Sequence, residues 1–149
     1  MRLFLVHHAD AVGPEVDTRR PLSALGEAQA ERAATEAAAR GARPDIVWHS
    51  GKLRARQTAQ AFWRDCNALA EFKASPDLQP DDPPSRIRDR LRGEVRDILI
   101  AGHFPYLPRL LSLLLTDAPA AFPLHGVVAL ESDDQGETWK ETWRIQGLV

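Results

Sequence analysis

Leu3-Phe4-Leu5-Val6-His7-His8-Ala9-Asp10 is an apolar run that stops abruptly on two adjacent histidines. A short apolar run of this kind reads as a buried strand, here the first strand, about Arg2 to Val6, with His7 and His8 where it ends. Asp97-Ile98-Leu99-Ile100-Ala101-Gly102 repeats the pattern and stops on His103. Between them, His49-Ser50-Gly51-Lys52-Leu53-Arg54-Ala55-Arg56-Gln57-Thr58 puts a basic helix start behind a third short strand. Open α/β sheets bind ligands outside the carboxyl ends of their strands. Imidazoles and an arginine delivered to one such edge suggest a pocket for phosphate.

The remaining sequence supplies the layers around those strands. After a polar loop from Ala9 to Arg20, Ser23 is a good N-cap for a long Ala-, Glu- and Gln-rich helix that Gly41 stops. Leu25, Ala28, Ala33, Ala37 and Ala38 could form its buried face. Strand two is Asp45–Trp48, and a second helix runs from about Lys52 to Asp65 with Leu53, Thr58, Ala61 and Phe62 on one side. Phe72 marks a short strand, and the prolines of residues 79–84 require a loop. Ser85 can cap a short helix through Arg92, ended by Gly93. A helix from about Pro105 to Leu115 follows the strand at Asp97–Ala101, then a loop from Thr116 to Pro123. Gly126–Glu131 and Glu137–Ile145 read as a hairpin. The alternation predicts an α/β three-layer sandwich: a mostly parallel central sheet with an antiparallel edge and helices on both faces.

Composition narrows the function classes. A chain of 149 residues is most simply one domain, residues 1–149. A formal charge of -2 gives no general reason to expect nucleic acid. No apolar stretch approaches the ~20 residues that span a bilayer, and the N-terminus carries no signal-peptide pattern. A single cysteine, Cys66, excludes an internal disulfide and fits a cytoplasmic setting. Cys66 falls late in a helical pattern beside Asp65, a poor place for a reactive thiolate.

The chemistry rests on His8. A neutral imidazole can attack phosphorus through one ring nitrogen, provided the other donates its proton to a fixed acceptor. The covalent intermediate then splits one hard displacement into two easier ones. Arg54 lies at a helix start, where the dipole and unpaired N–H groups also favour an anion, and its guanidinium can grip two phosphate oxygens. His103 would neutralise charge growing on the phosphoryl oxygens, and Arg20 could lean over the same pocket. Read singly, His8 is a strand-end residue with one structural hydrogen bond, and Arg56 a solvated helix residue. A metal site built from His7, His8, His49, His103 and Asp10 is the competing chemistry. Against it, adjacent strand residues point to opposite faces, so His7 and His8 should not share an ion. His49 reads as a strand-end residue and His125 as a loop residue.

Four motifs in order resemble the histidine phosphatase superfamily. Val6-His7-His8-Ala9 is similar to its Arg-His-Gly or Arg-His-Ala signature, with His8 on the nucleophile. Arg20-Pro21-Leu22-Ser23 resembles its Arg-Pro-Leu-Thr run, and residues 50–59 its Ser-Pro-x-x-Arg-Ala-x-Gln-Thr element, which brings Arg54. Ala101-Gly102-His103-Phe104-Pro105 resembles the second histidine followed by an apolar residue and proline. The resemblance spans residues 2 to 131, and the absence of insertions points toward the small phosphohistidine phosphatases of the SixA group. It implies a metal-independent phosphatase without cofactor that carries the phosphoryl group on His8. Arg54 and His103 would hold the phosphoryl oxygens, with Arg20 beside them.

Two positions depart from the pattern. His7 replaces the first-motif arginine and would bind phosphate with full charge only while protonated, and Gly51 replaces a commoner proline. Larger relatives bring a carboxylate after the second helix as general acid; Asp82, ahead of Asp81, is the candidate here. The expected partner is phosphohistidine in another protein. The alternatives are a small phosphorylated substrate, or phosphate binding with weakened turnover.

Overall fold

The computed structural model describes residues 1–116 and 120–147. In chain order the elements are β1 (Arg2–His7), α1 (Ala24–Ala39), β2 (Ile46–His49), α2 (Leu53–Cys66), β3 (Glu71–Ala74), α3 (Ser85–Leu91), β4 (Ile98–Gly102), α4 (Tyr106–Leu114), β5 (Val127–Glu131) and β6 (Lys140–Ile145). The strands form one six-stranded sheet in the order β3-β2-β4-β1-β5-β6. Strands β3, β2, β4 and β1 are parallel, whereas β5 and β6 run antiparallel. This is the predicted α/β sandwich.

The pleat of β1 builds both cores. Phe4 and Val6 pack with alanines of α1 and with Ala59 and Phe62 of α2. Leu3 and Leu5 pack on the opposite face with Ile87 and Leu91 of α3 and Leu107, Leu110 and Leu111 of α4. The helices after β1 and β4 therefore lie on opposite faces, and β1 and β4 are neighbours. Such a reversal leaves a crevice at the carboxyl ends of the two strands. His7 and His8 enter it from β1, His103 from β4.

Four local expectations shift. Helix α1 buries Gly26, Gln29, Ala30, Ala33, Ala34 and Ala37, while Leu25 and Ala28 face outward. So many alanines leave the apolar face undecided in the sequence. What sets it is the seating of the first turn, since a Cβ at Gly26 would lie 1.9 Å from the Asp10 carbonyl oxygen. Helix α2 turns Ala55, Thr58, Ala59, Ala61 and Phe62 inward and leaves Leu53 at the margin. Ser85 is the first residue of α3 rather than its cap, with Pro84 at the cap and no side-chain bond there. Strand β6 starts at Lys140, because Asp134 accepts the N–H and hydroxyl of Thr138 and holds the chain in a turn. The expected loop over residues 116–123 lies partly outside the described residues.

Candidate active site

His8 follows the last paired residue of β1, and its N–H still donates to the Gly102 carbonyl at 3.0 Å. Two side chains of α2 and α1 hold the chain beyond it. Thr58 Oγ1 accepts the Ala9 N–H at 3.0 Å, and Gln29 Oε1 accepts that of Asp10 at 2.8 Å. Gln57 Oε1 accepts the Leu22 N–H at 2.7 Å and ties down the far end of the loop. The Gln-Thr pair after Arg54 is thus a scaffold for the histidine loop. Gln57 and Thr58 were visible in the motif, but nothing in their type announced which backbone groups they would hold.

Hydrogen bonds assign the ring protons. His8 Nδ1 lies 2.8 Å from the Ala9 carbonyl oxygen, which can only accept, so Nδ1 carries the proton and Nε2 the lone pair of the neutral ring. Burial, opposed by the Ala9 carbonyl, lowers the His8 pKa to about 4, with Arg54, His125 and Arg20 adding to the depression. His103 is buried, and its Nε2 lies 2.6 Å from Ser50 Oγ. Ser50 Oγ accepts the Lys52 N–H at 3.3 Å, which suits its own proton to His103 Nε2 and leaves the proton of that ring on Nδ1. His103 Nδ1 is buried without a partner among the described residues. Burial, then His8, Arg54, Lys52 and Arg20, lower the His103 pKa to about 3.

Arg54 and Arg20 complete a cationic rim. Arg54 Nε is buried without a partner among the described residues, and burial and then Arg20 push the guanidinium pKa down. Arg20 sits in the left-handed region, φ 51°, and donates from Nε to the Val12 carbonyl at 3.0 Å. That conformation costs a non-glycine residue on the order of 1 kcal/mol. The structure thus brings His8, His103, Arg54 and Arg20 to one edge.

His7 departs most from expectation. It is buried, with Phe104 stacked on one side at 4.0 Å between ring centroids and His125 stacked at 5.0 Å. Its Nδ1 accepts the His125 N–H at 2.8 Å, which puts the proton of the neutral ring on Nε2. Burial first, then His8, His125, His103 and Arg54, lower its pKa to about 2. A charged His7 at mildly acid pH is therefore disfavoured in the free protein; the ring is a neutral N–H donor.

The expected separation of His7 and His8 also fails, because the two rings lie 4.5 Å apart. Alternation separates neighbouring side chains only while the pleat continues, and it stops at His7. His125 joins them, and one ring nitrogen from each of His7, His8 and His125 lies within 4.8 Å of the others. Among the described residues, these are the ones that could hold a metal. The donor set fits a dication poorly: the His7 Nδ1 lone pair is taken by the His125 N–H, and the guanidiniums of Arg54 and Arg20 act on His8. Nothing in the sequence around His125 marked it as more than a loop residue.

Asp82 is not brought into this group by any described contact. Its carboxylate accepts the Gln79 N–H at 2.9 Å and closes the proline loop. Asp10 is likewise engaged, accepting the Ser23 hydroxyl at 2.6 Å at the cap of α1. His49 Nδ1 accepts the Gly51 N–H at 3.0 Å, a strand-end role as read. Gly51 stands at φ 91°, which proline cannot adopt, so the departure there is a local change of backbone. Burial and then Asp65 push the Cys66 thiol up to about 11, in line with its inert reading.

Solved structures share this arrangement of elements. The protein histidine phosphatase SixA, solved with tungstate, aligns at TM-score 0.83 and 22% identity over 98% of this chain and 97% of that one. A protein of Agrobacterium tumefaciens assigned as phosphohistidine phosphatase SixA aligns at TM-score 0.78 and 26% identity, over 97% and 96%. A phosphoserine phosphatase of Entamoeba histolytica in complex with 3-phosphoglyceric acid aligns at 0.71 and 15%, over 96% and 95%. No curated protein sequence matches. The sequence model of the histidine phosphatase superfamily, branch 1, matches residues 4–79, just over half of the chain, and the chain therefore belongs to that superfamily.

Proposed function

We propose that this protein is a metal-independent phosphatase that transfers the phosphoryl group of its substrate to His8 Nε2 and then to water. The observation that carries the reading is a nucleophile with one ring nitrogen committed, its ring centroid 5.2 Å from that of His103, in a group that holds buried donors without acceptors among the described residues. Nδ1 of His8 is committed to Ala9, while buried His103 Nδ1 and Arg54 Nε have no acceptor among the described residues. Buried donors without partners cost roughly 1–3 kcal/mol each, and phosphoryl oxygens would supply the acceptors. Arg54 and Arg20 would grip those oxygens, His103 would follow the charge into the transition state, and His7 would add a neutral N–H.

The substrate we favour is phosphohistidine presented by another protein. The longest connection bordering the crevice from the β1 side is residues 8–23, and Gln29, Gln57 and Thr58 hold it down on α1 and α2. An edge framed this way suits a side chain brought by a partner. A small phosphate ester on the same pocket is the second reading. Phosphate binding with weakened turnover is the third, favoured by the uncharged His7. Turnover of a phosphohistidine-bearing protein and of a small ester, in wild type and His8→Ala, tests all three. The expected result is hydrolysis of the phosphohistidine protein at the higher kcat/KM, abolished in His8→Ala. Loss of about 10²–10³ in His103→Ala and Arg54→Ala should accompany it.

A further inference from the structure

Hydrolysis through His8 needs a proton for the leaving group and a base for the incoming water, and the groups around His8 are nearly all committed. Arg54 and Arg20 are guanidiniums, which donate hydrogen bonds and offer no lone pair to take a proton. His103 Nε2 is bonded to Ser50, and its other nitrogen is the buried donor that faces no protein acceptor. His7 is sealed between two rings with Nδ1 occupied. The carboxylates of Asp10 and Asp82 are engaged with Ser23 and Gln79.

His125 differs from all of these. Its Nδ1 donates to the carbonyl oxygen of His8 at 2.7 Å, which leaves Nε2 uncommitted among the described hydrogen bonds. The residue is half-buried, in the left-handed region at φ 55°, with its ring centroid 6.2 Å from that of His8. It also lines a groove against α1 with Gln29, Arg32 and Glu36, through which it can exchange protons with water. The Nδ1–H bond to a carbonyl serves both the neutral and the charged ring, so gain or loss of a proton at Nε2 leaves the ring in place.

We propose that His125 is the general acid and base of this site, a catalytic residue resting on the reading of His8 as nucleophile. In the first step the His8 Nε2 lone pair forms the N–P bond and the bond from phosphorus to the leaving atom breaks. The electron pair of that bond goes to the leaving group, which takes the proton of His125 Nε2. In the second step water attacks phosphorus, its proton passes to His125 Nε2, the N–P bond returns its electrons to His8, and phosphate departs. One ring nitrogen of His8 and one of His125 lie within 4.8 Å of each other, close enough for this sequence. Phosphorus can lie about 3–3.5 Å from the nucleophile while the leaving atom lies about 2.6–3.2 Å from the acid.

The test is the dependence of kcat/KM on the leaving group. His125→Asn keeps an N–H able to donate to the His8 carbonyl but cannot transfer a proton. The ratio of kcat/KM for p-nitrophenyl phosphate to that for an alkyl phosphate should rise by about 10² or more in this variant, since only the alkoxide needs protonation. A parallel loss on both esters would assign His125 a purely structural role and overturn the proposal. Should the variant not fold, a series of aryl and alkyl phosphates with the wild-type enzyme decides: a shallow dependence on leaving-group pKa supports a proton donor, a steep one excludes it. Labelling wild-type enzyme with p-nitrophenyl phosphate separates the two layers. A labelled His8 with an unchanged ester ratio removes only the role of His125, whereas turnover without a labelled His8 removes both.

Discussion

Ser50 Oγ and His103 Nε2 lie 2.6 Å apart in the buried wall of the site, and that bond decides which nitrogen of His103 is left for a phosphoryl oxygen. Ser50→Ala would free the ring to take the other tautomer and turn. A hydrogen bond of this kind contributes about 1 kcal/mol of stability, so the unfolding free energy in urea should fall by about that amount, and turnover should fall as well because His103 loses the bond that fixes its tautomer. Nitrogen chemical shifts of His103 would show the proton leaving Nδ1 for a mixture of tautomers. Shifts unchanged in the variant would mean that Ser50 does not set the tautomer.

Thr58 holds the first peptide after the nucleophile. With the Ala9 N–H buried against its hydroxyl, Thr58→Val keeps the shape and removes the acceptor. Leaving a buried donor unpaired costs about 1–3 kcal/mol, and urea unfolding should show a loss in that range. Activity should fall as well, because the same N–H fixes the path of the chain from His8. Loss of activity with full stability would show that Thr58 acts on the reaction alone.

The fold was legible because β1, β2 and β4 are largely continuous apolar runs that give way to histidines at or just past their ends, the signature of strands covered on both faces. The placement of His8, Arg54 and His103 was legible for the same reason: each stands at the junction where such a strand, or the helix after it, opens onto the edge. What the sequence withheld depends on distant packing. Arg54 announces itself next to a helix start, but His125 reaches the site only because β5 pairs antiparallel with β1 and brings its turn back beside His8. Pleat alternation misled at His7 because the rule applies inside a strand, and the site lies just beyond one. Asp82 carried the right chemistry in a loop whose own backbone N–H claims it.

Acid should destabilise the protein strongly. Once unfolded, His7, His8 and His103 take up protons near pH 6.5, whereas burial holds the folded rings to about 2, 4 and 3. Between those values the unfolded state binds more protons, so stability is retained above about pH 6.5 and lost as pH falls below it. The loss approaches about 1.4 kcal/mol per histidine per pH unit. Urea midpoints from pH 8 to pH 5 should fall along that curve, less steeply in His7→Phe. A flat profile would show that these rings are protonated in the folded protein.

Phosphate inhibition should be insensitive to His7 charge. A ring held neutral to about pH 2 offers the same N–H across the working range, so wild type and His7→Asn should give parallel inhibition profiles from pH 5 to 8. Binding that tightens only on the acid side in wild type would return His7 to a protonated ligand. Asp82→Asn should leave turnover within about twofold of wild type, and prolonged chelation should leave it unchanged.

The covalent step is the centre of the account. Wild-type enzyme mixed with a radiolabelled phosphate donor and quenched in alkali should carry about one phosphoryl group per chain on His8. The label should be stable to base, labile to acid and absent from His8→Ala. Full turnover by His8→Ala, or wild-type turnover with no phosphoryl group on His8, would contradict it.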